Sequence, residues 1–230
     1  MSAGGRCPLA ALLVLLIASA ASAQVYTGGG NAPRFGSFEL AGGGAFAPGF
    51  DLGSQTASLT RSTSDSRFEL FTTESRVNGF PGLFARAGMY LSRTISIEGG
   101  VRYSRPKFST RLTGDAESAP NETATETLTH YVFDGSVLFY INALTFAEGR
   151  GVPFVSGGAG YLRELHEKRE LVETGREYHG TAGLKYWVGR GARRWGLRFE
   201  AGLSARERGF DPDGDRRTLP IVLGAVSYLF

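Results

Sequence analysis

The sequence predicts an all-β protein, an eight-stranded antiparallel up-and-down transmembrane β-barrel. Three observations support this fold class. Eight segments alternate between apolar and polar residues with a period of two, which is typical of strands whose two faces meet different surroundings. The links between these segments are alternately short and long. The last segment runs to Phe230 and places Tyr228 on the same face as that residue.

The eight segments fill most of the chain after residue 36. They are residues 37–46, 83–91, 95–103, 130–141, 153–165, 178–188, 195–205 and 219–230. The alternation is clearest in segment 195–205, where Leu197 and Phe199 fall on one face and Arg198 and Glu200 on the other. In a membrane barrel the apolar face meets lipid and the polar face lines the lumen. Segment 153–165 has no clear phase, because its glycines between residues 157 and 160 leave the two faces alike.

The lengths of the links indicate which end of the barrel carries short turns and which carries long loops. Residues 92–94 and 189–194 form short turns, and the long links are residues 47–82, 106–129, 166–177 and 206–218. Short turns on one rim and long loops on the other are typical of membrane barrels of bacteria, in which the long loops face outward. Residues 56–60 and 68–73, inside the first long link, are also strand-like. They are predicted to extend the first hairpin beyond the membrane, or to form an added hairpin.

Aromatic residues lie close to both predicted rims. Tyr103, Tyr131 and Tyr178 fall near the long loops, and Phe139, Trp187, Trp195, Tyr228 and Phe230 fall near the short turns. Eight residues separate Tyr131 from Phe139, and a strand tilted by ~45° rises about 19 Å over that length. This spacing approaches the height of an apolar band between two aromatic girdles. The alternative is that these residues are core aromatics of a soluble β-protein.

The N-terminus has the pattern of an export signal. Arg6 precedes an apolar run from Leu9 to Ala18, and Ala21-Ser22-Ala23 is a small-residue cleavage site. We expect residues 1–23 to be a cleaved Sec-type signal peptide, residues 24–34 a lead-in and residues 35–230 the barrel domain. A retained anchor is the alternative. Cys7 is the chain's one cysteine, so cleavage would leave no disulfide and no cysteine-based metal site.

The polar faces of the predicted strands carry a balanced set of charges. Four are acidic and four are basic: Glu39, Arg86, Glu98, Arg102, Asp134, Lys185, Arg198 and Glu200. An eight-stranded barrel is just wide enough for side chains to fill, and opposite charges inside it would offset the cost of burying one another. This interior polar cluster is therefore predicted to plug the lumen. The alternative is a narrow channel for small solutes or hydrophobic compounds, or a proton-linked gate.

Three smaller groups of residues have functional and structural interpretations. His130, His166 and His179, with a serine and an acid, could form a lipid-hydrolase site, but no motif fixes a nucleophile, and we expect them at the loop-side rim. Residues 211–215 begin like a calcium loop, yet the position that needs a glutamate holds Val222, so a turn is predicted and no metal site. The short turn with Arg190, Arg193 and Arg194 is either solvated or in contact with anionic lipid headgroups.

Taken together, the signal peptide, the eight amphipathic strands and the terminal Tyr228-Leu229-Phe230 resemble the outer-membrane β-barrel superfamily of OmpA-like and OmpX-like proteins. The resemblance covers the whole chain after the signal. It implies the bacterial outer membrane, contact with its lipid, recognition by the barrel assembly machinery through Tyr228 and Phe230, and a ligand on the extracellular loops. Ala225 and Leu223 depart from the usual assembly signal. We expect a structural or surface-interaction role without catalysis, cofactor or nucleic-acid partner; the net charge of +3 fits the last point. The alternative is a lipid-modifying enzyme.

Overall fold

We describe the fold from a computed structural model, whose described residues are 33–60, 67–114, 121–166, 171–189, 191, 193–208 and 216–230. Within these residues the chain forms eleven strands and one 3₁₀ turn, Asn142–Leu144. The strands are β1 (Phe38–Ala47), β2 (Phe50–Thr60), β3 (Arg67–Val77), β4 (Phe80–Tyr90), β5 (Ile95–Ser104), β6 (Lys107–Thr113), β7 (Thr123–Tyr140), β8 (Gly151–His166), β9 (Val172–Val188), β10 (Arg194–Arg208) and β11 (Arg217–Leu229). The predicted signal peptide and the turn at 211–215 lie outside the described residues, as does Arg190.

Eight of these strands close into a barrel. Around the wall the order is β1, β4, β5, β7, β8, β9, β10 and β11, every neighbouring pair is antiparallel, and β11 pairs back with β1. The closing pair is in register from Glu39 opposite Leu229 to Phe46 opposite Val222. Because the wall closes, its strands leave no unpaired edge. The prediction of an all-β, eight-stranded antiparallel up-and-down barrel is confirmed.

The other three strands extend one side of the barrel at the long-loop end. β2 pairs with β3, β3 with β6, and β6 with the first residues of β7, and we call this group the side sheet. Breaks of two residues at 48–49, 78–79 and 105–106 separate its strands from β1, β4 and β5. Pro48 and Pro106 contribute to these breaks because proline has no N–H for a sheet ladder. Residues 56–60 and 68–73 therefore extend the first hairpin, and β6 is a strand in a segment that was expected to be a loop.

The barrel wall has its apolar side chains outside and its charges inside. Leu83, Phe133 and Phe199 are 67%, 51% and 60% exposed on the outer face, whereas Lys185 and Arg198 are 1% exposed in the interior. A protein folded in water has the opposite distribution, since its arginine and lysine side chains are mostly at the surface. The faces of the predicted segments agree with this arrangement. Among the described residues, no helix is both long and apolar enough to cross a membrane.

The structure corrects two details of the predicted strands. β7 and β9 have 18 and 17 residues and begin at Thr123 and Val172, so they extend well beyond the predicted segments at the long-loop end, whereas β8, Gly151–His166, stays close to its predicted bounds. Trp187 lies near the short turns as predicted, and on the same face as Lys185, but its side chain points into the barrel and is 2% exposed, so it does not belong to an outer aromatic girdle. The inward alternation from Thr181 through Lys185 continues to Trp187, despite the bulk of the indole ring.

Candidate functional site

The lumen is closed at the short-turn end by an aromatic floor. This floor is a buried cluster of Tyr90, Leu138, Tyr140, Phe154, Trp187 and Leu229. The rings of Tyr90 and Tyr140 stack with centroids 5.4 Å apart. Arg194, which follows the short turn, lies against the ring of Trp187 at 4.8 Å and is buried. The expectation that Arg194 belongs to a solvated or lipid-facing turn is therefore wrong.

Lys185 lies directly above the floor. Its Nζ donates hydrogen bonds to Glu39 Oε2 at 2.7 Å and to the hydroxyl of Tyr140 at 2.8 Å, and it lies 5.5 Å from the centre of the Tyr90 ring. Tyr90 in turn donates to the same Glu39 oxygen at 2.7 Å. A buried ammonium with these partners keeps its charge because an ion pair, two hydroxyls and aromatic faces replace its water. Lys185 thus joins the floor to the charged layer above.

The next layer contains two arginines and two glutamates joined by short ion pairs. Arg198 Nη1 donates to both carboxylate oxygens of Glu98, at 2.7 and 2.8 Å, and its Nε donates to Glu200 Oε1 at 2.5 Å. Arg86 Nη1 donates to the same Glu200 oxygen at 3.0 Å. The other oxygen of Glu200 accepts a hydrogen bond from Thr181 at 2.8 Å. Every charge of this layer therefore has a neighbour of the opposite sign within the lumen.

A second charged group lies nearer the long-loop end. Arg102 and Arg206 both donate to the buried carboxylate of Glu177, and the distance from Arg206 Nε to Glu177 Oε2 is 3.2 Å. Arg102 contacts this group and not the layer around Arg198. The eight predicted interior residues are all inside the barrel, but they divide between two groups. Glu177 and Arg206 were not predicted as interior residues, because they lie at the ends of the links 166–177 and 206–218, which were expected to be loops. In the structure they belong to β9 and β10.

The three histidines also point inward. His179 lies in the middle of the lumen, and the expectation that it occupies the loop-side rim is wrong. His130 Nε2 is 3.0 Å from Glu164 Oε1, and His166 Nδ1 is 3.4 Å from Glu126 Oε1. These two histidines are close to the long-loop end but buried. In the described part of the chain, no group of three or more histidine, cysteine or acidic side chains is arranged to hold a metal ion.

His179 is the residue that most resembles part of a hydrolase site. Its Nε2 is 2.9 Å from Ser136 Oγ, and its Nδ1 is 4.0 Å from Asp134 Oδ2. The order serine, histidine, aspartate is that of a catalytic triad, but 4.0 Å is too long for the hydrogen bond that would orient the imidazole. The surrounding backbone N–H groups are used in the barrel ladder, so they do not form an oxyanion hole. The geometry favours a packing role for His179.

Gly158 makes the space that His179 occupies. A Cβ at residue 158 would lie 2.7 Å from the imidazole and 2.3 Å from the backbone oxygen of Gly135 on the neighbouring strand. We expect Gly158→Ala to destabilise the barrel by about 1–3 kcal/mol, because the backbone of β7 cannot move away without breaking ladder pairs. Urea unfolding in detergent would measure this change. Gly157→Ala is the control, since its outward Cβ meets nothing closer than 3.9 Å; equal losses for both would contradict the expectation.

The outer wall carries an aromatic group at the short-turn end. The ring of Tyr228 is 4.9 Å from that of Trp195 and 4.8 Å from that of Phe230, and Phe38 follows at 6.1 Å from Phe230. Phe230 and Trp195 are 50% and 59% exposed. Tyr228 on β11 and Phe230 directly after its end thus both present their rings on the outer face. Their predicted part in barrel assembly stays a prediction.

Comparisons with known proteins give likenesses of fold only. No family model matches the chain, and no curated protein does so. Among solved structures, the outer membrane protein OprG from Pseudomonas aeruginosa is similar with a TM-score of 0.49 and 10% identity, over 86% of this chain and 98% of that one. The attachment invasion locus protein Ail of Yersinia pestis has a TM-score of 0.43 and 11% identity, over 86% and 100% of the two chains. The outer membrane protein AlkL, solved in lipid bilayers, has a TM-score of 0.39 and 13% identity, over 90% of this chain and 96% of that one.

Proposed function

We propose that this protein is a bacterial outer-membrane barrel that crosses the bilayer with eight strands, has a plugged lumen and acts through its long-loop end. The observation that carries the proposal is the inverted wall, with large apolar side chains outside and charged ones inside. In water, such an outer surface would be a very large exposed apolar patch, which soluble proteins rarely have. A bilayer gives these side chains an apolar surrounding, and the closed ladder satisfies the backbone groups that lipid cannot.

The lumen supports a structural role in preference to conduction. From the aromatic floor upward, side chains occupy the interior through the layer of Arg198 and the group around Glu177. Near the side sheet, Ala47, Val77 and Phe80 form a further buried apolar cluster. Arg206 lies 5.7 Å from the centre of the Phe80 ring, so this cluster adjoins the upper charged group. Eight strands leave little room for a water column beside so many side chains.

The side sheet is the feature best placed to meet partners outside the cell. It projects beyond the barrel, and serine and threonine hold many of its exposed or half-buried positions. Short polar side chains on a sheet give adaptable hydrogen-bonding surface, as they do in other recognition surfaces. A role in surface interaction is therefore favoured over enzymatic activity, because the one triad-like group is inside the lumen and lacks the geometry for catalysis.

Surface labelling tests the orientation and the location. We expect a cysteine introduced as Ser58→Cys on β2 to react with a membrane-impermeant maleimide on intact cells, because the side sheet would be outside the outer membrane. A cysteine introduced as Thr94→Cys, in the short turn between β4 and β5, should react only after the outer membrane is broken. Both parent side chains are exposed and leave the barrel core unchanged. Labelling of the second variant alone on intact cells would contradict the orientation.

Planar-bilayer recording tests the plug. The detergent-folded protein, identified by heat-modifiable migration in gels, is expected to give no steady conductance, or only rare small openings. The physical reason is that Lys185, Arg198 and their partners fill the width of the lumen above the aromatic floor. Steady, ion-selective current from the wild-type protein would contradict the plug and favour the channel alternative. A protein that does not insert at all would contradict the membrane barrel itself.

A further inference from the structure

We propose that the outer wall carries a site for an anionic glycerophospholipid at the short-turn end, over β1, β11 and β10. This inference rests on the proposed function, since it needs the barrel to be in a bilayer. One acyl chain would lie in a groove on the wall, and the headgroup would be held by Arg34 and Arg193 at the rim. The site differs from general lipid contact because the groove lies on β1, β10 and β11, and an exposed arginine precedes both β1 and β10.

The groove is open to the outside and has a volume of about 380 Å³. It runs along β11 between the neighbouring strands, and nearly all of its surface is apolar. Leu40, Ala41, Gly42, Trp195, Val226, Tyr228 and Phe230 line it. The rings of Trp195, Tyr228 and Phe230 stand at the end nearest the short turns, at the level where a membrane interface is rich in tryptophan and tyrosine.

Gly42 forms the recess of this groove. It faces outward on β1, opposite Ala85 on one side and Val226 on the other. A Cβ built at Gly42 would meet only the backbone oxygen of Phe84, at 3.7 Å, which is ordinary contact. The backbone therefore does not need glycine here. The absence of a side chain leaves space on the wall, and that space is bounded by the larger side chains of Leu40 and Val226.

The rim beside the groove is basic. Arg34 lies four residues before Phe38, whose ring is next to that of Phe230, so it borders the β1 side. Arg193 directly precedes Arg194, which pairs with Leu229, so it borders the β10 side. Both arginines are exposed, and among the described residues no salt bridge is formed by either of them. Two exposed guanidinium groups at an interface favour a phosphate-bearing anionic headgroup.

An acyl lipid fits this place better than a peptide or a second copy of the chain. β10, β11 and β1 are fully paired in the barrel ladder, so an added strand would find no free backbone groups. The groove is lined by seven residues, whereas a stable protein interface uses about 20–30 residues on each side. A flexible hydrocarbon chain needs only an apolar recess, and the basic rim supplies the selectivity for a negative headgroup.

Quenching of Trp195 by brominated lipid tests the site. The chain has two tryptophans, and Trp187 is inside the lumen, so a lipid bromine reaches Trp195 first. Wild-type protein in phosphatidylcholine vesicles would be titrated with phosphatidylglycerol or with phosphatidylcholine, each brominated in its acyl chains. We expect apparent binding to brominated phosphatidylglycerol to be about fivefold or more tighter at low salt, because arginines near an anionic surface attract its headgroups.

Four variants separate the groove from the headgroup contacts. Gly42→Leu should fill the recess and reduce quenching by both lipids, and Gly135→Leu, also outward with an open Cβ but on the far wall, should not. The double variant Arg34→Gln/Arg193→Gln should remove the preference for phosphatidylglycerol and keep quenching by phosphatidylcholine. Arg93→Gln, in the other short turn, should change nothing. Heat-modifiable migration would first establish that each variant is folded.

The outcomes are distinct. Equal quenching by the two lipids in the wild type, or an unchanged preference in the double arginine variant, would overturn the site and leave only general lipid contact. Quenching that depends on protein concentration at constant lipid composition would indicate a second copy in the groove and would also overturn it. No quenching of Trp195 by either lipid would instead contradict the membrane barrel, which distinguishes failure of the proposed function from failure of the site.

Discussion

Replacing Arg198 by methionine is expected to lower the free energy of unfolding by about 3–5 kcal/mol, the loss typical when one partner of a buried ion pair is removed. Methionine keeps most of the side-chain length but none of its charge. Glu98 would lose two hydrogen bonds of 2.7 and 2.8 Å, and Glu200 would lose one of 2.5 Å. Arg86 and Lys185 would then have to balance the carboxylates that remain nearby.

The number of charges in the central group predicts that loss of Arg198 destabilises the barrel more than loss of Glu200. Among the described residues, three cations of the central group (Arg86, Lys185 and Arg198) contact four carboxylates (Glu39, Glu98, Asp134 and Glu200). Removing Arg198 leaves two cations for four carboxylates, whereas Glu200→Gln leaves three for three. We therefore expect Glu200→Gln to cost less than Arg198→Met, although both lie in the same contact.

A double-mutant cycle would separate these effects. Arg198→Met/Glu200→Gln should lose less than the sum of the single losses, because the second change removes one of the stranded carboxylates. Guanidinium unfolding is unsuitable for an ionic network, so urea unfolding from detergent or vesicles is the measurement. Arg163→Met, an exposed arginine on the outer face of β8, is the matched control and should change stability by less than about 0.5 kcal/mol. Additive losses would contradict the assigned pair.

The fold could be predicted in most respects because the signal for it is local. The side-chain period of a strand is two, so residues such as Leu197 to Glu200 reveal both faces without any knowledge of their neighbours. Short turns fix which strands are adjacent. The side sheet was harder to predict, since β6 is a polar, seven-residue strand in a long link, and its alternation is weak. Its pairing with β3 depends on a hairpin formed elsewhere in the chain.

The interior residues could be predicted as a set but not as pairs. The alternation showed which charges face inward, whereas the partner of each depends on how far neighbouring strands are shifted along the wall. Arg86 reaches Glu200 across the lumen at a sequence separation of 114. Glu177 was missed because β9 begins five residues before it, at Val172, in a link that was expected to be a loop. The phase of β8 follows from its buried residues Phe154, Ser156, Leu162 and Glu164, and Gly158 on the same face leaves room for His179 from the next strand.

Phe199, the residue after Arg198, lies on the opposite, outer face of β10. Phe199→Arg is expected to cost about 2–4 kcal/mol, the loss found for arginine at the lipid-facing midplane of a barrel. Phe199 is 60% exposed on the outer wall, lies within β10 away from both of its ends, and pairs with Gly224 and Leu184. An arginine there would place a charge in hydrocarbon beside Leu184 and Gly224, with no carboxylate at these neighbouring outer positions, while the lumen would keep all its ion pairs.

Whether Phe199→Arg destabilises the protein depends on whether lipid or water surrounds residue 199. The substitution therefore tests directly whether this face of the barrel lies in a bilayer. In a water-soluble barrel, an exposed arginine would replace an exposed phenylalanine with little loss, or with a gain in solubility. We therefore expect Phe199→Arg to fold less efficiently into vesicles and to unfold at lower urea, with Phe199→Leu near the wild type because leucine remains apolar. Equal stability of all three proteins in vesicles would contradict the lipid-facing assignment of β10, even if Arg198 behaved as expected on the inner face.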